Sequence, residues 1–364
     1  MKNEGMPKLR IGDLVADIPI IQGGMGVGIS LANLASAVAN EGAIGIISGL
    51  GLGILEGKSN GNYTENNKLS LQNEIKKARK KTKGIIGVNI IVAASDAESL
   101  IQGAVEEKVD LIIFGAGLLK NLPGTLPLEN LDQLHTKFVP IVSSARATKI
   151  IFGMWQKRYN HVPDAVIVEG PLAGGHLGFK KEQINDPSYS LENILPEVLS
   201  TVIPHEQMAG KQIPVIAAGG IYAGADIRKF LELGAHGVQM ATRFVVTDEC
   251  DASIKFKEAF IECREEDLMI IDSPVGLPGR AIRNEFLEDV ARGDKKPFNC
   301  PWKCLKTCKG IGEAPYCITI ALINAKRGNI NNGFVFAGAN AYRTDKIVSV
   351  KKLLETLIQE YAQA

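Results

Sequence analysis

Residues 165–178 read AVIVEGPLAGGHLG, from Ala165 to Gly178. The run 165–168 is apolar and largely β-branched, as expected of a strand covered on both faces. It ends at Glu169, and Gly170-Pro171 punctuates the chain. A glycine pair then delivers His176, an imidazole able to exchange protons near neutral pH. Glycines at 174 and 175 let backbone approach a ligand where a Cβ would collide. Taken alone, the stretch is either a site or a tight turn with a surface histidine.

Working outward, the same pattern recurs along the chain. Short apolar runs fall at 19–22, 43–48, 85–90, 111–114, 139–143, 165–169, 214–218 and 237–241. None alternates with polar residues, which suits parallel strands buried on both faces. Helical patterns lie between most of them, at 31–40, 71–80, 97–107 and 226–233, and another follows the eighth at 254–263. Eight strands alternating with helices predict an α/β fold, a (β/α)8 TIM barrel, with a smaller lid domain after strand eight. The rival is a doubly wound open sheet, which carries GxGxxG after its first strand when it binds dinucleotides. No GxGxxG occurs here. The expected division is a barrel over 1–247, a lid over 248–315 and a closing segment over 316–364.

A barrel places its chemistry at the C-terminal ends of its strands. The residues there are Gln22, Gly23, Gly24 and Met25 after the first strand and Asn89 after the third. Glu169 and His176 follow the sixth, Gly219 and Gly220 the seventh, and Gln239, Met240, Ala241 and Thr242 the eighth. The loops after strands seven and eight often hold phosphate in such barrels. Amides at Gly219, Gly220, Ala241 and Thr242 suit that role. A phosphate handle opposite the amide-bearing Gln22 and Asn89 suggests FMN lying across the rim.

Composition narrows the class. The chain has 364 residues, 45% hydrophobic and 22% charged, with a formal net charge of +1. These are the proportions of a globular enzyme, and no overall field favours nucleic acid or a membrane. The basic run 76–83 falls late in a helical pattern, where cations suit the helix end. No apolar run reaches the ~18 residues of a membrane span. The N-terminus lacks the apolar core of a signal peptide, so a cytoplasmic location with reduced thiols is expected. His135, His161, His205 and His236 fall in helix ends or connections and are expected at surfaces or caps.

Four cysteines, Cys300, Cys304, Cys308 and Cys317, are spaced C-x3-C-x3-C-x8-C. The spacing matches no common zinc pattern, though zinc or an iron–sulfur cluster is a possible use of four thiols. On a helix the first three would share nearly one face, and the expectation is a buried face of reduced thiols without metal.

The motifs together resemble the nitronate monooxygenase (2-nitropropane dioxygenase) superfamily, which includes the FMN-dependent enoyl-ACP reductase II. They are Gln22-Gly-Gly-Met-Gly26, Gly87-Val-Asn89, Glu169-Gly170 with Ala173-Gly-Gly-His176, Ala217-Ala-Gly-Gly-Ile221 and Val238-Gln-Met-Ala-Thr-Arg-Phe244. The segment 273–284, SPVGLPGRAIRN, resembles the region after the barrel in that reductase. The resemblance implies an oxidoreductase with one FMN and His176 as the catalytic or substrate-facing group; a homodimer is a further expectation. It implies flavin contacts from Asn89, Glu169, Gly174, Gly220, Gln239, Met240, Ala241 and Thr242, to which place at the rim adds Gln22, Gly23, Gly24, Met25, Gly175 and Gly219. Two activities follow: oxidation of alkyl nitronates with O2, the first expectation, or NAD(P)H-dependent reduction of an enoyl thioester. A flavin-binding protein without catalysis is the non-enzyme alternative. Glutamate at position 169 sits more easily with reductase-type relatives.

Overall fold

The structure is a computed structural model, and it describes residues 5–58, 62–300, 302–310 and 312–364. A hairpin, β1 (Leu9–Ile11) and β2 (Leu14–Ala16), comes first. Eight parallel strands follow. They are β3 (Ile20–Gln22), β4 (Gly45–Ser48), β5 (Ile86–Ile91), β6 (Leu111–Gly115), β7 (Lys137–Val142), β8 (Val166–Glu169), β10 (Val215–Ala218) and β11 (Gly237–Met240). Their neighbour order is β3-β11-β10-β8-β7-β6-β5-β4. The seam closes where Gln22 N donates to the Ile44 carbonyl at 2.9 Å and Ile44 N to that of Ile20 at 3.0 Å. The sheet is therefore an eight-stranded barrel, as the strand count predicts.

Both faces of each strand are apolar because both are covered. Ile21, Ile46, Leu111, Ile113, Val139, Ile167 and Ile216 fill the barrel interior. Their alternates, among them Val88, Ile112, Phe138, Val166 and Val238, meet the surrounding helices. One part was not expected from sequence. Leu9, Ile11 and Ala16 of the hairpin join the interior cluster. They close the end of the barrel opposite the strand C-termini.

The basic run lies as expected in the last turn of the helix Tyr63–Lys81, which buries Leu71, Ile75 and Ala78. After the barrel, β12 (Leu268–Asp272) and β13 (Pro278–Ile282) pair antiparallel. A two-residue strand, β9 (Gly175–His176), joins their edge, so the loop after β8 belongs to a second, three-stranded sheet. That sheet covers a separate small core of Ile271, Ala281, Phe286, Tyr316, Ile318 and Phe334. The cysteine segment departs from expectation. Among the described residues of 300–308 no helix forms; Leu305 instead makes an isolated bridge with Ala94. Backbone bonds to the loop after β5, Ser95 N to the Cys304 carbonyl and Lys306 N to that of Ala93, outweigh the i, i+4 thiol pattern.

The final helix, Val350–Gln363, turns Val350, Leu353, Leu354, Leu357 and Ile358 inward. It crosses the start of the helix Gly224–Glu232 so closely that a Cβ on Gly224 would lie 2.2 Å from Tyr361 N. The Gly224 amide donates to Glu360 Oε2 at 2.8 Å. Ile11 is completely buried in the hairpin plug. Ile11→Ala is expected to cost about 2–5 kcal/mol, read as a lower urea midpoint at unchanged slope.

Candidate active site

The strand C-termini converge on a cavity of about 290 Å³, near the lower end of the small-molecule range. Each barrel strand delivers what its last residues carry. From β3 come Gly23, Gly24 and Met25; from β5, Asn89; from β8, Glu169. Gly219 and Gly220 follow β10, and Gln239, Met240, Ala241 and Thr242 close the ring from β11. Gly174, Gly175 and His176 line the same space.

Gln22 alone among the expected residues is not brought there. Its carboxamide is spent inside the barrel, where Oε1 accepts from Ile46 N at 2.9 Å and Nε2 donates to the Gly23 carbonyl. It is fully buried and staples β3 to β4.

His176 is fixed by the second sheet. Within that sheet, β13 sets Gly279 opposite His176 and Arg280 opposite Gly175. Ser273, in the turn between β12 and β13, bonds His176 Nε2 at 2.7 Å. The Phe336 ring stands edge-on to the imidazole, with centroids 5.1 Å apart. Arg280 is buried and donates to the carbonyls of Pro171 and Ala173, both at 2.7 Å. Burial lowers its pKa to about 10, so it remains a cation at neutral pH. The glycine pair has two different causes. Gly175 has φ +78° with open space around it, so conformation selects glycine. A Cβ on Gly174 would lie 2.6 Å from Ala337 C and Gly338 N, so the crossing chain selects it.

That crossing chain forms another wall. Phe336, Ala337 and Gly338 line the cavity. Ala339 N donates to the Leu172 carbonyl at 3.0 Å, and Asn340 Nδ2 to that of Gly220 at 2.6 Å. Ser273, Arg280 and Phe336 were not assigned roles from sequence. The segment 273–284 was noticed, but strand pairing across about a hundred residues leaves no local signal.

The electrostatics follow from desolvation. Glu169 borders the void rather than bulk water, and its carboxyl is pushed up to about 7. Burial pushes His176 down to about 4. Near neutral pH the site thus holds a half-protonated carboxyl and a neutral imidazole. No lysine or arginine is among the described lining residues. Gln239 Oε1, one strand beyond the neighbour of Glu169 on the same rim, is sealed from solvent without a hydrogen-bond partner. Such an orphan acceptor is unusual in an interior and suits a donor carried by a bound ligand.

The remaining histidines lie elsewhere. His135 bonds Asp110 at 2.9 Å, and His236 Nδ1 accepts from Val215 N at 3.2 Å. His161 departs from the surface role expected of it. It is 4% exposed and packs beside Trp155, with Nδ1 2.9 Å from Asp132 Oδ1, so a carboxylate meets its polarity under apolar cover. Among the described residues no three Cys, His, Asp or Glu side chains form a ready site for a metal ion. No helix among them is long and apolar enough to cross a membrane.

Known proteins share this architecture. FabK from Thermotoga maritima superposes with a TM-score of 0.74 at 28% identity, covering 98% of this chain and 97% of that one. Nitroalkane oxidase from Streptomyces ansochromogenes, 21% identical with a TM-score of 0.70 over 96% of both chains, shares the fold. A probable nitronate monooxygenase of Staphylococcus aureus is 26% identical over 315 residues, 77% of this chain and 79% of the relative. An indene-carboxyl-CoA dehydrogenase of Mycobacterium tuberculosis is 28% identical over 277 residues, 76% of this chain, which spans 66% of that relative's length. The nitronate monooxygenase family model matches residues 9–360. The match takes in the plug, the barrel, the second sheet and most of the final helix, and by it the chain belongs to the nitronate monooxygenase family and is an oxidoreductase.

Proposed function

We propose that the chain is an FMN-dependent reductase of enoyl thioesters. The observation that carries this reading is the charge inventory of the cavity. A nitronate is an anion, and here it would meet a carboxyl at Glu169 with no lysine or arginine on the described walls. A nitronate beside Glu169, whose carboxyl already sits near 7, either meets a like charge or forces the carboxyl to hold its proton, and both cost affinity. An uncharged, elongated substrate meets apolar walls at Leu172, Val275, Leu277, Phe256 and Phe336. The match to FabK, an enoyl-ACP reductase II, over nearly the whole chain supports the same choice. The family name and the Staphylococcus relatives favour nitronate oxidation as the second reading.

The residues present fit a flavin. Gln239, with its orphan Oε1, and Asn89 offer carboxamides to the edge of a polar ring. The amides of Gly219, Gly220, Ala241 and Thr242 offer donors to a phosphate without a cation. FMN, when bound, supplies hydride transfer. The protein's part is orientation and charge. Ser273 occupies Nε2 of His176, which leaves Nδ1 as the nitrogen open to a substrate. With the Ser273 hydroxyl donating, Nδ1 carries the proton and donates to a thioester carbonyl, polarising it. The pKa of about 4 keeps the imidazole neutral throughout this task. Glu169, near its own midpoint at neutral pH, can hold or release a proton at the cavity floor.

Three outcomes test these roles. His176→Ala should lower kcat at least about 100-fold while bound FMN, read by its absorbance, stays stoichiometric. Mixed anaerobically, the yellow protein should bleach with NADH or NADPH and recover colour with crotonyl thioester. Bleaching by propionate 3-nitronate alone would replace this reading with nitronate oxidation. The third concerns stability. A carboxyl whose folded pKa is raised contributes stability that is present below its ordinary value of 4.5 and lost as pH rises through about 7. A shift of that size corresponds to about 3 kcal/mol. Glu169→Gln should therefore gain stability over wild type in the flavin-free protein at pH 8 but not at pH 4. A constant difference between the two proteins in urea midpoint across that range would remove the buried-acid assignment.

A further inference from the structure

Cys300, Cys304, Cys308 and Cys317 lie outside the machinery just described, and the reason for regarding them as inert has gone. They do not share a helical face, and although Cys304 and Cys317 are buried, Cys300 and Cys308 are only half-buried, so core packing does not account for those two. The segment is nonetheless held in place. Ser95 N donates to the Cys304 carbonyl at 3.0 Å and Lys306 N to that of Ala93 at 2.8 Å, pinning it to the loop after β5. Cys304 Sγ lies 3.2 Å from Thr319 Oγ1, in the first turn of the helix that follows Cys317. Cys304 is within electrostatic range of Cys317, Cys300 and Cys308, and Cys317 within range of Cys300 and Cys308. All six cysteines of the chain are free thiols.

Three further observations point to what four thiols gathered there would hold. First, no three of them close on one point as a single ion requires. Four thiolates around one zinc at Zn–S of about 2.3 Å would be nearly in contact. In a [4Fe–4S] cluster each thiolate binds its own iron, which keeps the sulfurs well apart. Second, one donor stands ready without a partner. Trp302 Nε1, between the first two cysteines, is sealed from solvent and unbonded. Hydrogen bonds to cluster sulfurs are a standard means of setting its potential. Third, Lys303, Lys306 and Lys309 are interleaved with the first three cysteines, with no acid between 295 and 309. Their charge opposes the negative charge that four thiolates bring.

We infer that Cys300, Cys304, Cys308 and Cys317 ligate an iron–sulfur cluster, set against the wall of the active-site cavity. Leu305, Thr307 and Ile318, the immediate neighbours of three of these cysteines, line that cavity, as does Thr319, which meets Cys304 Sγ. The inference does not depend on what the cavity binds.

The test is chemical analysis of the full chain, purified without oxygen and treated with ferric iron, sulfide and dithiothreitol before desalting. Iron and acid-labile sulfide should appear in equal amounts, about four of each per chain. Reduction with dithionite should give a low-temperature paramagnetic signal distinct from a flavin radical. Cys300→Ser and Cys308→Ser alter half-buried positions and should keep the wild-type circular dichroism while losing most of the iron and sulfide. Cys263→Ser, outside the segment, should keep both. Wild-type protein without sulfide, whether metal-free or holding zinc, overturns the inference. So does wild-type iron and sulfide in both Cys300→Ser and Cys308→Ser.

Discussion

The site depends on one short pairing, in which Gly175 and His176 act as an edge strand for Pro278–Ile282. A glycine-rich loop leaving a barrel has no shape of its own, because its glycines carry the largest conformational entropy to be lost. Here the loss is offset from outside. A buried guanidinium takes up two carbonyls of the loop, and the neighbouring hairpin turn supplies the serine that orients the imidazole. Without that sheet, Glu169 would keep its place at a strand end but His176 would not. The barrel fixes one ionisable group and the cap fixes the other.

This division explains the opposite displacements of the two groups. Both are moved by the same cause, exclusion from water, which disfavours whichever form is charged. A carboxyl is thereby held toward its neutral acid and an imidazole toward its neutral base. The cavity thus suits proton and hydride chemistry on uncharged groups. Its polar capacity resides in amides and carboxamides rather than in ion pairs.

The barrel was legible in sequence because each strand is a continuous apolar run, and eight of them in alternation with helices leave few architectures. Residues at strand ends were legible for the same reason, since the fold places them at one rim. Gln22 shows the limit of that reasoning. It stands at a strand end yet turns inward to bond β4, a choice set by side-chain parity that a three-residue strand does not reveal. Ser273, Arg280 and Phe336 act through long-range pairing, which leaves no periodic trace in the chain. The plug was missed because each of its strands is three residues long. The expected cysteine helix gives way to backbone pairing with residues 93–95, which leaves no trace in the cysteine spacing.

The wall formed by Phe336, Ala337 and Gly338 bears on how the protein is made. The barrel has all eight strands once Met240 has emerged, and sequential synthesis allows it to close then. The cavity at that moment lacks the side that crosses Gly174, and nothing braces the helix start at Gly224. Both arrive roughly a hundred residues later. A cofactor that entered the half-built barrel would rest in an open dish, exposed to water along one flank. Stable retention is therefore a late event in biogenesis, tied to docking of the C-terminal segment rather than to closure of the barrel.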